Sequence, residues 1–228
     1  MKAPNQPEGI IIMRTKKKQI YQVNILNIPG DENNGKLAFT VDNFLSNKEC
    51  ESILHRLEGH TFQKAVINQK TLDTNIRNNS RTYIEDPKFV NKIWSKLKNI
   101  GIIPKTMTNG VFTLNGLYKH IIFYKYNRGE YFREHYDDEK KDLNKKSFFT
   151  VLIYLNNDFE GGETTFIHHK KIKYKKKWKD EVTLTPVIPQ KGKLLVFKHN
   201  ILHEGSILKS GTKYILRCDI MYEKHLDL

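Results

Sequence analysis

From about residue 117 onward the chain consists of short apolar runs separated by turn residues, and this pattern limits the folds it can adopt. The runs are rich in Tyr, Phe, Ile, Val and Leu, side chains that fit a pleated and partly buried surface. Segments of strand length at this spacing are typical of an all-β sandwich or barrel. The five runs lie at 119–126, 148–155, 163–167, 193–197 and 213–222.

Two amphipathic helices are predicted upstream of these strands. Ser46 and Glu49 form a capping-box pattern at the start of the first helix, and Asp86-Pro87 supplies an N-cap and an N1 proline for the second. Gly101 is expected to end the second helix. Apolar residues follow at helical spacing, so both elements are expected to pack on a sheet. These residues are Cys50, Ile53, Leu54 and Leu57 in the first helix, and Phe89, Val90, Ile93, Trp94 and Leu97 in the second.

The first 35 residues are polar and basic, with Pro, Gly and Asn punctuation. They are interpreted as a loose basic leader 1–35, in which the segment 19–27 could form one strand. A single domain is expected over 36–228, with a helical support region at 36–110 and a β core at 111–228. The predicted fold class is therefore mainly β with α elements (α+β).

Composition and charge limit the expected partners and cellular location of the protein. The formal net charge of +14 favours polyanionic partners such as nucleic acid, but lysine is spread along the whole chain, which favours a solvated surface. The apolar run at 10–13 is too short for a membrane span or a signal-peptide core. Cys50 and Cys218 are expected to be buried free thiols. The expectation is a soluble protein in the cytoplasm or another intracellular compartment, with no membrane partner.

His135-Tyr-Asp137 is the strongest candidate for chemistry. On a strand, residues two apart project to the same side, so this pair can place an imidazole and a carboxylate together. Iron(II) that reacts with O2 is typically held by two histidines and one carboxylate, which leave positions open for other ligands. His203 is the leading third ligand, with His199 and the adjacent His168 and His169 as the alternatives.

The sequence around these residues resembles the prolyl 4-hydroxylase-like family of Fe(II)- and 2-oxoglutarate-dependent dioxygenases. In that family a Tyr, a Gly and an aromatic residue precede the His-x-Asp pair, as Tyr126, Gly129 and Phe132 do here. The resemblance covers roughly residues 36–225, and its motifs occur in the family's order. Its other matching segments are 41–50, 78–81, 150–156, 159–166, 189–197, 203–205 and 211–214.

The resemblance implies a double-stranded β-helix (jelly-roll) core with supporting N-terminal helices. It also implies a hydroxylase that binds Fe(II) through His135, Asp137 and His203 and consumes 2-oxoglutarate and O2, with ascorbate as a reductant. By alignment to the family, Lys213 would bind the distal carboxylate of 2-oxoglutarate, and Arg217, on the same face of the same strand, is the alternative. Tyr126, Tyr154 and Thr164 would supply hydroxyl groups to the same molecule.

The resemblance leaves the substrate open. A prolyl residue in a peptide or protein is the first expectation, but the ending at 214–222 lacks the tryptophan usual in collagen-type members. Another amino-acid side chain or a free amino acid is the alternative. A nucleic-acid oxygenase is a further one, suggested by the net charge and by Tyr174 and Trp178 within the basic stretch 168–179, which is expected to be an exposed loop or hairpin tip. A binding module that retains the fold without the chemistry is the non-enzymatic alternative.

Overall fold

The structure, a computed structural model, describes residues 10–14, 20–29, 37–65, 73–174 and 177–225. Within these ranges the chain forms eighteen strands, two α-helices and one 3₁₀ helix. In chain order they are β1 Ile10–Arg14, β2 Ile20–Ile25, β3 Ala38–Val41, α1 Asn47–Leu57, β4 Gln63–Lys64, β5 Ser80–Glu85, α2 Pro87–Leu97, the 3₁₀ helix Lys98–Ile100, β6 Thr106–Met107, β7 Phe112–Leu117, β8 His120–Asn127, β9 Phe132–His135, β10 Lys141–Asp142, β11 Lys145–Tyr154, β12 Glu160–Gly161, β13 Thr164–Tyr174, β14 Lys177–Val187, β15 Leu194–Lys198, β16 His203–Gly205, β17 Leu208–Ser210 and β18 Thr212–Lys224.

Both helices begin where their capping residues predict. The Ser46 hydroxyl accepts from the Glu49 N–H at 3.2 Å while the Glu49 carboxylate accepts from the Ser46 N–H at 2.9 Å, which completes the capping box of α1. The Asp86 carboxylate accepts from the Phe89 N–H at the start of α2. The short 3₁₀ helix that follows α2 ends at Gly101, whose φ of 75° is left-handed. No helix in the described ranges is long and apolar enough to cross a membrane.

The large sheet has twelve antiparallel strands, whose main path runs β1-β2-β3-β15-β11-β18-β8-β5-β4. Strand β2 lies inside the segment 19–27 and pairs with β3, because Tyr21 and Val23 alternate towards the core and are buried. Strand β1 was not expected, since a loose leader was predicted there, and it pairs with β2 in register over its whole length. Residues 10–14 and 20–25 are therefore part of the sheet.

A second, four-stranded sheet of order β14-β13-β16-β9 faces the large one, and the two together form the jelly roll. One apolar cluster lies between the large sheet and the helices, where Cys50 and Ile93 meet Val151. The other lies between the two sheets, where Leu152 from β11 meets Phe166 from β13. Adjacent residues of β11 thus serve opposite faces, as strand alternation requires. Cys50 and Cys218 are free and buried, as predicted.

Of the two forms expected for the basic stretch 168–179, an exposed loop or a hairpin tip, the structure shows the hairpin. The stretch belongs to a long hairpin in which β13 and β14 pair over eleven residues each, from Thr164↔Val187 to Tyr174↔Lys177. Only the first three residues of β13 also pair with β16, so the rest of the hairpin projects as a two-stranded ribbon. Opposite charges face each other across it, at Lys170↔Glu181 and Lys171↔Asp180, and offset the repulsion among the lysines.

Candidate active site

Three side chains that could bind a metal converge between the two sheets. His135 is the last residue of β9, His203 is the first residue of β16, and the two are cross-strand partners. Asp137 follows two residues after His135, and the ligand atoms of all three residues lie within 4.8 Å of one another. The Asp137 Oδ1 atom is 3.6 Å from His135 Nε2, and Asp137 Oδ2 is 3.7 Å from His203 Nε2.

Backbone carbonyls fix the proton positions on both imidazoles. His135 Nδ1 lies 2.7 Å from the Arg133 carbonyl oxygen, and His203 Nδ1 lies 2.9 Å from the Ile201 carbonyl oxygen. A carbonyl can only accept, so Nδ1 carries the hydrogen on each ring and Nε2 presents its lone pair to the cluster. Two neutral imidazoles and one carboxylate are the donor set that non-haem iron(II) prefers, so these residues fit that metal.

Aromatic rings hold the two imidazoles in place. The Phe132 ring stacks on His135 with centroids 3.5 Å apart and planes inclined by 19°. Phe197 packs edge-on against His203 at 4.6 Å. Burial lowers the pKa of His203 to about 4, which keeps the imidazole neutral at physiological pH. Rotation of either ring would break these contacts, so they favour one orientation of each imidazole.

Asp137 is ionised although its side chain is only 4% exposed. Burial by itself would raise the pKa of this carboxyl, but the Arg217 guanidinium beside it outweighs that effect and holds the pKa well below its usual range. The Thr150 hydroxyl donates to Asp137 Oδ2 at 2.5 Å, and Arg217 Nη1 lies 3.0 Å from Oδ1. Both oxygens therefore have a fixed partner.

Lys213 occupies a different part of the same cavity. It is fully buried, donates from Nζ to the Gly162 carbonyl at 2.6 Å, and lies over the Tyr126 ring at 4.2 Å from the centroid. It has no ion pair with a carboxylate among the described residues, and burial lowers its pKa to about 7. The Tyr154 hydroxyl donates to the Thr164 hydroxyl at 2.8 Å nearby. This end of the cavity therefore presents a buried lysine that forms no ion pair in the described part of the chain, and the more distant Glu163 only partly offsets the effect of its burial.

Arg217 is on the same strand and in a different environment. It is four residues beyond Lys213, about 13 Å along an extended chain, and lies between two carboxylates. Its Nη1 is 3.0 Å from Asp137 Oδ1 and its Nη2 is 3.3 Å from Asp219 Oδ1. The charge of Arg217 is thus already balanced, whereas that of Lys213 is not. The geometry places Arg217 beside the candidate metal ligand, away from the predicted 2-oxoglutarate anchor.

The alternative histidines lie outside the cluster. His199 is buried beside Asp219, with Nε2 3.3 Å from Oδ1. His169 is exposed on the hairpin and pairs with Glu134 at 3.1 Å, while His168 faces Thr183 across the hairpin.

Four residues of the site were not singled out from the sequence: Tyr124, Thr150, Phe197 and Asp219. Tyr124 and Phe197 line the cavity, and Thr150 and Asp219 are cross-strand partners behind Asp137. Asp219 carried a signal that was missed, because a carboxylate inside the apolar run 213–222 must have a buried partner.

The sequence model of the 2OG-Fe(II) oxygenase superfamily matches residues 121–218, the part of the chain that contains the whole cluster. Among curated proteins, probable prolyl 4-hydroxylase 8 of Arabidopsis thaliana is 27% identical over 200 residues, which cover 78% of this chain and 66% of the relative. Probable prolyl 4-hydroxylase 3 of the same plant is 28% identical over 138 residues, which cover 57% and 45%. The chain thus spans about half to two thirds of the length of these relatives.

Solved structures show the same fold. A prolyl-4-hydroxylase of Pseudomonas putida superposes with a TM-score of 0.57 at 15% identity, over 86% of this chain and 97% of that one. The viral collagen prolyl hydroxylase of Paramecium bursaria Chlorella virus 1, solved with 2-oxoglutarate, gives 0.53 at 22% identity, over 83% and 97%. The matched segment identifies residues 121–218 as similar to the 2OG-Fe(II) oxygenase superfamily, and both the curated relatives and the shared fold point to its prolyl 4-hydroxylase-like members.

Proposed function

We propose that this chain is an Fe(II)- and 2-oxoglutarate-dependent dioxygenase that hydroxylates an unactivated C–H bond, with a prolyl residue in a peptide or protein as the substrate. One observation carries the proposal: a single cavity contains the His135–Asp137–His203 cluster and also a fully buried lysine, Lys213, that forms no ion pair with a carboxylate of the described residues. The cluster can bind a metal ion, and the buried lysine can pair with one carboxylate of a dicarboxylate ligand.

The roles of the residues follow from their contacts. His135 Nε2, His203 Nε2 and the Asp137 carboxylate would hold iron(II), since their other polar atoms are already engaged by the protein. Bound iron(II) supplies the oxidising chemistry, in which 2-oxoglutarate and O2 give succinate and CO2 and one oxygen atom enters the substrate. Lys213 would bind the distal carboxylate of 2-oxoglutarate as a point charge.

Hydroxyl groups complete the 2-oxoglutarate end of the cavity. Tyr154 and Thr164 are hydrogen-bonded to each other there, and the Tyr126 ring lies beside the Lys213 ammonium. Burial raises the pKa of both tyrosines well above their usual range, so each phenol remains a neutral donor. Leu152, Phe197 and Ile215 supply apolar walls that exclude water around the reacting groups.

The substrate class rests on the relatives. Those described above are named as prolyl 4-hydroxylases, and a prolyl hydroxylase of Trichoplax adhaerens that shares the fold, with a TM-score of 0.57 at 16% identity over 80% of this chain and 82% of that one, was solved with a peptide fragment of hypoxia inducible factor. A peptide in an extended conformation is therefore the proposed partner. The β13–β14 hairpin belongs to the same four-stranded sheet as both histidines of the cluster, and it offers an open strand edge for such a peptide.

The first experiment adds iron(II) and 2-oxoglutarate to the apo-protein without oxygen and records the weak visible charge-transfer absorption of their complex. Absorption that needs both additions, persists in His169→Ala and disappears in His203→Ala would support the assignment. His169 is the control because it is a histidine of the same sheet outside the cluster. A folded, metal-loaded protein without this absorption would refute the proposal and leave the binding module as the better interpretation.

The second experiment tests the substrate. The loaded enzyme is given O2, 2-oxoglutarate and proline-rich peptides, and the peptides are analysed by mass spectrometry for the gain of one oxygen atom. Hydroxylation at proline, absent from matched peptides with alanine in its place, would support the substrate assignment. Coupled turnover that appears only with non-proline peptides or free amino acids would keep the chemistry and refute proline.

A further inference from the structure

Asp137 is held differently from the other two candidate ligands. His135 and His203 lie on paired strands, so the β-ladder fixes their backbones. Asp137 lies beyond the end of β9 and has no such support. Instead, its backbone N–H donates to the His199 carbonyl at 3.2 Å, and its two carboxylate oxygens meet Thr150 and Arg217.

The contact with Arg217 belongs to a closed ring of polar contacts. From the Asp137 carboxylate the ring passes to Arg217 Nη1 at 3.0 Å, then from Arg217 Nη2 to Asp219 Oδ1 at 3.3 Å. Asp219 Oδ1 in turn lies 3.3 Å from His199 Nε2, within ion-pair range although not aligned as a hydrogen bond. The carbonyl of the same His199 accepts the Asp137 N–H, so the ring begins and ends on the one ligand. We call these four residues the Asp137 ring.

The Asp137 ring is buried, so the presence of charged side chains in it needs an explanation. Arg217 is 9% exposed, His199 8% and Asp219 1%. A charge in such a position is costly unless it is paired, and an Arg–Asp pair is seldom more stable than apolar side chains of the same volume. The Asp219 carboxylate is paired with Arg217 and His199, so its contacts hold these two residues in place.

We infer that Arg217 is a positioning residue, which with Asp219 and His199 aims the Asp137 carboxylate at the two histidine Nε2 atoms. This inference rests on the proposed function, since it concerns the way the iron site is held. The planar guanidinium suits the task because its two Nη groups reach two carboxylates in a fixed geometry, whereas a lysine ammonium would hold them only as a point charge. Contacts that orient metal ligands are worth about 10- to 100-fold in metal affinity.

Arg217 could instead serve only to balance the charge of Asp137. A double replacement distinguishes this role from the positioning role. Arg217→Met combined with Asp219→Asn removes one positive and one negative charge, so the net charge around Asp137 is unchanged while the fork is lost. The matched control is Arg56→Met combined with Asp86→Asn, an arginine–aspartate pair at 2.8 Å between the two helices. Asparagine still caps α2 in that control.

The measurement is the dissociation constant for Mn(II), from the electron paramagnetic resonance signal of the free ion, without 2-oxoglutarate or O2. We expect the Arg217/Asp219 variant to bind Mn(II) about 10- to 100-fold more weakly than the wild type, and the control to bind within about twofold. An Arg217/Asp219 variant that binds as tightly as the wild type overturns the inference. A wild type that binds no Mn(II) at all refutes the proposed function itself.

Arg217→Lys is a second test that can be used if the double variant does not fold, because it preserves the buried positive charge. We expect weaker Mn(II) binding and an altered visible spectrum of the Co(II)-loaded protein, which reports ligand geometry and is insensitive to overall stability. Mn(II) affinity and a Co(II) spectrum equal to those of the wild type would mean that charge alone suffices, and the positioning role would be refuted.

Discussion

Replacing Lys213 with methionine should stabilise the protein in the absence of ligand while removing its affinity for 2-oxoglutarate. Methionine has a similar length and no charge, so the variant removes a buried ammonium whose carboxylate partner is supplied only by the ligand. The two effects have opposite signs because the same group is costly when alone and favourable when paired.

The size of the effect follows from the lowered pKa. A shift from 10.5 to about 7 corresponds to a cost of roughly 5 kcal/mol for the charged form, at about 1.4 kcal/mol for each pKa unit. The variant also leaves the Gly162 carbonyl without the hydrogen bond from Nζ, a loss of about 1–3 kcal/mol. The net expected gain in the free energy of unfolding near pH 7 is therefore about 2–4 kcal/mol.

The stability cost of Lys213 in the wild type also depends on pH. Between pH 7 and 10.5 the unfolded chain binds the Lys213 proton and the folded chain does not, so the stability of the wild type rises with pH in that window. The penalty is nearly complete at and below pH 7 and fades towards pH 10.5. At about pH 9.5 the advantage of the variant should have fallen by roughly 3 kcal/mol.

The assay is urea unfolding of both apo-proteins at these two pH values, with Lys96→Met as the control. Lys96 is paired with Glu49 at 2.9 Å, so its replacement should destabilise the protein. The reasoning about Lys213 would be refuted if Lys213→Met were less stable than the wild type near pH 7. A difference that did not shrink at the higher pH would refute it as well.

Two further predictions concern the same end of the cavity. Binding of 2-oxoglutarate at about pH 8 should take up nearly one proton, because the carboxylate restores the charged form of Lys213; equal calorimetric heats in buffers of different ionisation enthalpy would contradict this. Gly162→Ala should weaken 2-oxoglutarate binding about tenfold, since the added Cβ would lie 2.8 Å from Leu208 Cδ1 and 3.3 Å from Lys213 Nζ. Gly129→Ala has comparable backbone strain, at φ +83° against +67°, but no atom within 4 Å, so equal ligand affinities in the two variants would count against the contact.

The sequence was sufficient where the structure depends on local chemistry. The starts of α1 and α2 follow from Ser46 and Asp86, whose side chains satisfy N–H groups of their own first turn. The five strands predicted after residue 117 are present: four of them lie in the large sheet, which is covered on both faces, and β13 packs its apolar side against that sheet.

The sequence alone could not predict features that depend on which residues meet across the sheet. Lys213 and Arg217 share one face of β18, so spacing could not separate their environments. The separation arises because Asp137 comes to lie beside Arg217, at the turn that leaves β9. The strand β1 was missed for a similar reason, since its five residues acquire their role only by pairing with β2.

The projecting hairpin has a consequence for the behaviour of the protein in solution. Strand β14 is the edge of its sheet, and in the described part of the chain nothing pairs with its outer side. Its first eight residues are all exposed, including Trp178, Val182 and Leu184. An open edge of this kind can pair with a strand of a second copy of the chain. Lysines and prolines on an edge strand oppose such pairing, and β14 contains Lys177, Lys179 and Pro186. Because salt screens like-charge repulsion beyond about 8 Å at physiological ionic strength, we expect these lysines to protect the open edge less well against edge-to-edge association as the salt concentration rises.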